Sequence, residues 1–493
     1  MNKTAIIVGS GFGGIAASLR MRSLGYQVSI FEKLNQLGGR ARVFKKSGFT
    51  FDAGPTVITA PFLFDELFKL FNKNRKDYVD FVKLEPWYRF YFSSNNKFFN
   101  YSSSLRETEK EIAKFNNSDV EGYRKLLEIS EKIFNVGFEK LSFVPFHNFF
   151  FMIKQIPTLI KLKSYLSVYK LVSKYIKNEQ IRQAFSIQPL LLGGNPLDTT
   201  SIYNLIHFLE RKWGVFYAMG GTGKIIQGFE KLMKEEQIKI FKNTEVTEII
   251  TNGNIAEGIK VGDKKIFADK LIINSDPAYT YKNLIQSNKK KWTDKKIANM
   301  EYSMGLFVIY FGTTKKYKNV AHHTIWMGKR YEGLLKDIFK NRILADDFSL
   351  YLHRPTATDK SMAPKNCDCF YVLSPVPNLK NPINWGQEGK TYERKILEAL
   401  DQTILPGLIK NLKICFHMTP NDFQKDYNSL YGSGFSISPI FTQSAWFRFH
   451  NKSENFKNLY FVGAGSHPGA GVPGVISSAK VLENIVSNES ATY

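Results

Sequence analysis

The chain opens with "KTAIIVGSGFGGIAASLRMRSLGYQVSIFEK", and this run narrows the fold more than any other stretch. Ala5–Val8 is a short apolar run rich in branched residues, which predicts a buried strand. Gly9, Ser10, Gly11, Phe12, Gly13 and Gly14 form a turn, Ile15–Leu24 carries helical spacing, and Gly25 is placed to stop it. Gln27–Phe31 reads as a second strand ending at Glu32. Gly9 allows the tight turn, Gly11 lets backbone approach a pyrophosphate, and Gly14 brings helix against sheet. The helix start offers free N–H groups and a positive dipole end to phosphates. Glu32 stands where the ribose hydroxyls of a dinucleotide need an acceptor. Strand, turn, helix, strand and acid together predict a Rossmann-like α/β unit.

Other features remove alternatives. Cys367, Cys369 and Cys415 are too few for a disulfide framework and have no companion cysteine pair or nearby histidine cluster in sequence. No metal is expected, and the thiols fit a reducing, cytoplasmic setting. The N-terminal apolar run is too short for a signal peptide. No 18 consecutive residues are apolar, so a spanning helix is not expected and the protein is soluble or lies on a membrane. The formal charge of +24 is compatible with nucleic acid, with an anionic membrane, or with a merely Lys-rich composition. No nucleic-acid motif accompanies it, so no such partner is expected.

After Glu32 comes "KLNQLGGRAR", from Lys33 through Gly38, Gly39 and Arg40 to Arg42. It resembles the segment that follows the ribose-binding acid in glutathione-reductase-like and amine-oxidase-like flavoproteins, which implies FAD. Such proteins also close their FAD domain with a C-terminal strand, glycine-rich turn and helix. "NLYFVGAGSHPGAGVPGVISSAK", Asn458–Lys480, has that order: strand Leu459–Val462, close approach at Gly463–Gly465, helix start at Val472. The same run resembles the signature of bacterial-type phytoene desaturases, FAD enzymes of carotenoid biosynthesis, and among them the lycopene-forming type. The one departure noted is Ser466 where Thr is commoner, which keeps the hydroxyl. "GFTFDAGPTVIT" (Gly48–Thr59), Leu190–Phe229, Leu350–Pro377 and Gly432–Asn451 extend the resemblance along nearly the whole chain.

That resemblance implies a discontinuous FAD domain, residues 1–105, 218–290 and 425–493, with an inserted α+β substrate domain and helical lid, residues 106–217 and 291–424. It implies cofactor contacts from Gly9, Gly11, Phe12, Gly13, Gly14, Glu32, Lys33, Gly39, Arg40, Gly54, Pro55, Thr56, Gly463, Gly465, Gly471 and Val472. A strand over Asn243–Ile250 would bring Val246 backbone to the adenine. Asp52 is expected to bond backbone near Thr56, and His467 to hold the glycine turn. No acid, base or nucleophile stands out, so no catalytic residue is assigned.

Val136–Lys177 interleaves six Phe and three Tyr with seven Lys and one Glu, and Leu159–Ile176 has helical spacing of apolar residues. One reading is a pair of basic amphipathic helices around 136–177 lying in the membrane interface, since a long polyene substrate is confined to the bilayer. The other is a lid whose aromatics are all core. Peripheral attachment to the cytoplasmic face, a quinone or oxygen as final electron acceptor, and a possible homo-oligomer complete the expectation. The expected reaction removes hydride from an allylic carbon to flavin N5 and a proton from its neighbour. Another carotenoid-modifying FAD enzyme, an amine oxidase and a non-enzymatic lipid-binding relative stay open from sequence.

Overall fold

Residues 5 to 8 already show how the parallel sheet is buried. Ala5 and Ile7 point into one apolar core, Ile6 and Val8 into another, so the strand is covered on both faces. The structure is a computed structural model that describes residues 3–287 and 290–491. Thr4–Val8 is the centre of a five-stranded, all-parallel sheet. Gln27–Phe31 and Lys239–Phe241 lie to one side of it, Lys270–Ile273 and Leu459–Phe461 to the other. The helix Phe12–Ser23 follows the first strand and packs against the C-terminal helix Val472–Ala491. Gly14 lets the helix start close on the end of the first strand: a Cβ there would lie 2.0 Å from the Gly9 carbonyl oxygen. Gly9 itself has φ +92, a conformation only glycine adopts without cost.

A three-stranded antiparallel sheet, Glu248–Asn252, Ile255–Val261 and Lys264–Phe267, covers the second face. Here the expected strand over Asn243–Ile250 is corrected, for it begins only at Glu248. Asn243 and Thr244 donate their N–H groups to Leu34 and Glu32 carbonyls instead, and Asn243 has φ +51. Val246 therefore sits in a loop drawn against the end of the second strand.

A seven-stranded sheet forms the other half. Gly305–Thr313 is buried along its full length, with Phe307, Ile309 and Phe311 in one core and Leu306, Val308 and Tyr310 in the next. Tyr88–Phe92 and Lys97–Tyr101 join this sheet, with Tyr88–Phe92 parallel to His323–Met327. Residues 88–101 thus pair away from the five-stranded parallel sheet, although residues 1–105 were expected to form one unit with it.

The basic aromatic segment divides in two. Asn148 accepts from the Phe151 N–H and starts the helix Phe149–Lys161; Lys163, at φ +58, ends that direction of the chain. Ser167 then caps a separate short helix, Val168–Ser173. The continuous helical spacing read over Leu159–Ile176 is corrected accordingly. Val168, Leu171 and Val172 are buried in the core, so the second helix has no apolar face left for a membrane. The first keeps Phe149, Phe150, Ile153, Ile156 and Ile160 exposed. Among the described residues no helix is long and apolar enough to cross a membrane.

Candidate functional site

One cavity of about 520 Å³ runs between the two halves. Its polar end is lined by Glu32, Lys33, Glu245 and Val246, and its middle by Gly9, Gly11, Phe12, Gly13, Gly39, Arg40 and Gly463. Gly54, Pro55, Thr56, Gly471 and Val472 follow. The apolar end is walled by Leu190, Leu192, Leu205, Phe435 and Phe441, and it passes Phe146, Met152 and Leu159 beside the exposed helix.

The middle is a cradle that side chains would fill. A Cβ on Gly13 would lie 3.0 Å from Gly463 backbone and 2.6 Å from Asn274 Oδ1, so the N-terminal turn and the C-terminal turn meet face to face. Gly11 differs: its Cβ would meet only the Asn274 amide, at 3.1 Å. Its bare face is turned to the cavity. Arg40 is an under-used cation there. Its Nη2 donates to Ser429 Oγ at 3.0 Å, and its Nε is buried without a partner. Burial lowers the Arg40 pKa, with the Asp276 charge the largest opposing influence. Glycine backbone, a helix N-terminus and an under-satisfied guanidinium fit a dinucleotide pyrophosphate. The Glu32 carboxylate is held in place by the Ser10 N–H (2.9 Å), the Ser10 hydroxyl (2.6 Å) and the Leu34 N–H (2.9 Å).

Several expected positions behave differently. Gly14 and Gly465 are not among the lining residues. Gly14 serves helix–strand packing, and Gly465 is pressed on the next turn, where a Cβ would lie 2.3 Å from Pro277 Cδ. The Lys33 ammonium donates to the Lys425 carbonyl and Asn428 Oδ1, at 2.8 and 2.7 Å. Asp52 bonds not backbone near Thr56 but the N–H and hydroxyl of Thr222, both at 2.8 Å, which starts the helix Thr222–Glu235. His467 does not hold the glycine turn: its Nε2 lies 3.1 Å from the Leu141 carbonyl, and burial pushes its pKa down to about 4. Arg448 holds the turn instead, donating to the Gly465 and Ala464 carbonyls at 3.0 and 2.6 Å.

Beyond Thr56 lies a polar wall that the sequence reading missed. Thr56 Oγ1 is 2.8 Å from Tyr371 Oη and 3.0 Å from Tyr351 Oη. Tyr371 donates to the Gly54 carbonyl at 3.0 Å, and Tyr351 Oη lies 2.7 Å from His323 Nδ1. Behind it, His322, His323 and His353 bring nitrogens within 4.8 Å of one another, a group that could hold a metal ion. Asp52 Oδ2 is 3.6 Å from His353 Nε2. Burial lowers the pKa of all three imidazoles. In sequence they are two adjacent histidines and one 30 positions later, without ligand spacing; strand pairing of His323 with His353 joins them. Glu210 and Tyr88 also line this end, and Tyr88 donates to Glu210 Oε1 at 2.8 Å.

The flavin-containing amine oxidoreductase family matches residues 12–481. A lycopene-forming phytoene desaturase of Pantoea ananas is 43% identical over 487 residues, covering 98% of this chain and 99% of that protein. The lycopene-forming phytoene desaturase of Pseudescherichia vulneris is 44% identical over 489 residues, with 98% and 99% covered. The fold is shared with an oxidoreductase of Methanosarcina mazei at a TM-score of 0.63 and 16% identity, covering 98% of this chain and all of that one.

Proposed function

The chain belongs to the flavin-containing amine oxidoreductases and, within them, to the phytoene desaturases; on that premise we propose that it dehydrogenates phytoene stepwise to lycopene, with FAD as cofactor. The observation that carries the reading is the continuity of the cavity, from a glycine cradle suited to a dinucleotide into an apolar space suited to a polyene. Bound FAD supplies a hydride acceptor able to oxidise a carbon–carbon single bond. In this reading Gly9, Gly11 and Gly13, with the N-terminus of the helix Phe12–Ser23, hold the pyrophosphate, and Arg40 adds the balancing charge. Glu32 receives the ribose hydroxyls, Val246 backbone faces the adenine, and Gly463, Gly471 and Val472 leave room for the ring. Segments 1–105, 218–290 and 425–493, without the hairpin 88–101, form the cofactor side, and the remainder shapes the substrate space. Leu190, Leu192, Leu205 and Phe435 position the chain and exclude water.

Peripheral membrane attachment completes the proposal. Phe150 is 74% exposed, Ile160 58% and Phe149 47%, all on one helix, with Phe441 and Phe447 exposed nearby. Phe149 and Trp446 pack at 4.8 Å, which joins these elements into a single apolar patch beside the cavity end at Met152 and Leu159. Patches of this kind mark lipid or protein contacts, and exposed Lys154 and Lys161 suit anionic headgroups. The test is expression in cells that accumulate phytoene, followed by pigment analysis. Lycopene supports the assignment; unchanged phytoene beside a flavin-loaded protein defeats it.

A further inference from the structure

The expected reaction leaves the protein one task that no assigned residue performs: taking the proton. Among the described residues, four carboxylates line the cavity, Glu32, Glu210, Glu245 and Asp426. Glu32 is tied by its three hydrogen bonds, Glu245 pairs with Lys33 at 3.3 Å, and Asp426 pairs with Arg42. Among the four, Glu210 alone keeps a buried oxygen without a hydrogen-bond partner. Tyr88 fixes its Oε1, while Oε2 is buried with no hydrogen-bond partner. The helix Leu205–Trp213 explains its direction: Leu205, Ile206, Leu209 and Glu210 share the cavity face, whereas Arg211 turns away to Ser102 and Tyr123. A single acid stands in an otherwise apolar stripe.

The geometry points to Glu210 as the catalytic base of the dehydrogenation, oriented by Tyr88, and this rests on the function proposed above. One allylic C–H bond breaks with its electron pair leaving as hydride to the flavin. Glu210 Oε2 takes the proton of the neighbouring carbon, and the electron pair of that C–H bond becomes the new π bond. The protonated carboxyl returns its proton to water as product leaves. Before the proton moves, the carboxylate charge also stabilises the allylic cation in a medium that screens it little. Burial pushes the Glu210 carboxyl up to about 7, against the Tyr88 hydrogen bond and the Arg211 charge that pull it down. That suits a base working near neutral pH. The titratable groups facing it are Tyr88, Tyr101, Tyr123 and Arg211. His467, the other candidate on the wall, is held at about 4 and is the weaker base.

The test compares wild type, Glu210→Gln and Tyr88→Phe as flavin-loaded enzymes on phytoene in liposomes, across pH. Glu210→Gln should keep its flavin and lose about 100-fold or more in rate, the scale of a lost general base. The wild-type rate should rise through an ionisation near 7 that is missing in Glu210→Gln and moved upward in Tyr88→Phe. Infrared difference spectra of the flavin-free protein should show a protonated carboxyl titrating near 7, absent from Glu210→Gln. A Glu210→Gln enzyme within threefold of wild type overturns the assignment alone, as does a wild-type spectrum lacking that carboxyl. Wild type that binds flavin yet leaves phytoene unchanged overturns the proposed function, and this inference with it.

Discussion

Two glycines three residues apart, Gly11 and Gly14, should fail in opposite ways when alanine replaces them. At Gly14 the added Cβ would lie 2.0 Å from the Gly9 carbonyl oxygen, a rigid backbone atom, so the helix Phe12–Ser23 must move off its strand. Overpacking of this severity belongs at the upper end of measured costs, about 3 kcal/mol. Unfolding entropy of about 2.1 cal/mol/K per residue near 60 °C gives about 1 kcal/mol/K for 493 residues unfolding together. Gly14→Ala should therefore lower the Tm of the flavin-free protein by about 3 °C, or more if the nucleotide half melts separately. At Gly11 backbone strain is absent, with φ −64 and ψ 173, and the new methyl meets only a flexible amide at 3.1 Å. The loss of unfolded-state freedom stabilises by roughly 0.4–1 kcal/mol, offsetting that contact. Gly11→Ala should keep its Tm within about 1 °C of wild type, yet bind flavin at least about tenfold more weakly, because its methyl occupies the pyrophosphate position. Calorimetry of flavin-free protein and flavin titration read the two effects apart. Equal Tm losses, or full flavin affinity in Gly11→Ala, would refute the division between a packing glycine and a cofactor glycine.

Three further outcomes are expected. Replacing Phe149, Phe150 and Ile153 together with Ser removes exposed apolar area worth about 3 kcal/mol if buried in lipid. Vesicle sedimentation should then show roughly 100-fold weaker partition with unchanged flavin content. Glu489 anchors the C-terminal helix to Lys270, Tyr460 and Lys452. Burial raises its pKa, but those bonds outweigh burial and hold it at about 2. Its depressed pKa makes this stabilisation complete above the ordinary 4.5 and lost as pH falls toward 2. Glu489→Gln should cost about 1 kcal/mol at pH 7, discounted for partial exposure, and nothing near pH 2 in thermal unfolding. Glu210 has the opposite sign. Its folded pKa is raised from 4.5 to about 7, so wild-type stability is full below 4.5 and falls as pH rises through 7. Relative to wild type, Glu210→Gln should gain up to about 3 kcal/mol between those limits; a constant Tm difference across that range contradicts the raised pKa.

Much of the half built on the parallel sheet was legible because its pattern is local. A strand, a glycine turn and a helix start are contiguous in sequence, and the acid at Glu32 falls at a spacing set by two short elements. The second turn, at Gly463, was legible for the same reason. Glu210 was not, although it lies inside Leu190–Phe229, one of the segments that carry the family resemblance. A lone acid on an amphipathic helix usually faces water, and nothing in its neighbours says that Leu205, Ile206 and Leu209 face a cavity rather than core. The wall at Tyr351, Tyr371 and His323 was equally hidden, since strand register assembles it from distant segments.

By itself the sequence determined the class of cofactor and the two glycine turns that line the cavity, because close backbone approach demands glycine at fixed spacing. Tertiary structure decided which polar groups remain free. Arg448 rather than His467 holds the C-terminal turn, Asp52 caps a helix, and only one helix of the basic aromatic segment keeps its apolar face outside. Whether a buried polar atom is satisfied depends on partners hundreds of residues away. No local pattern encodes that, and among the carboxylates lining the cavity it singles out Glu210 Oε2.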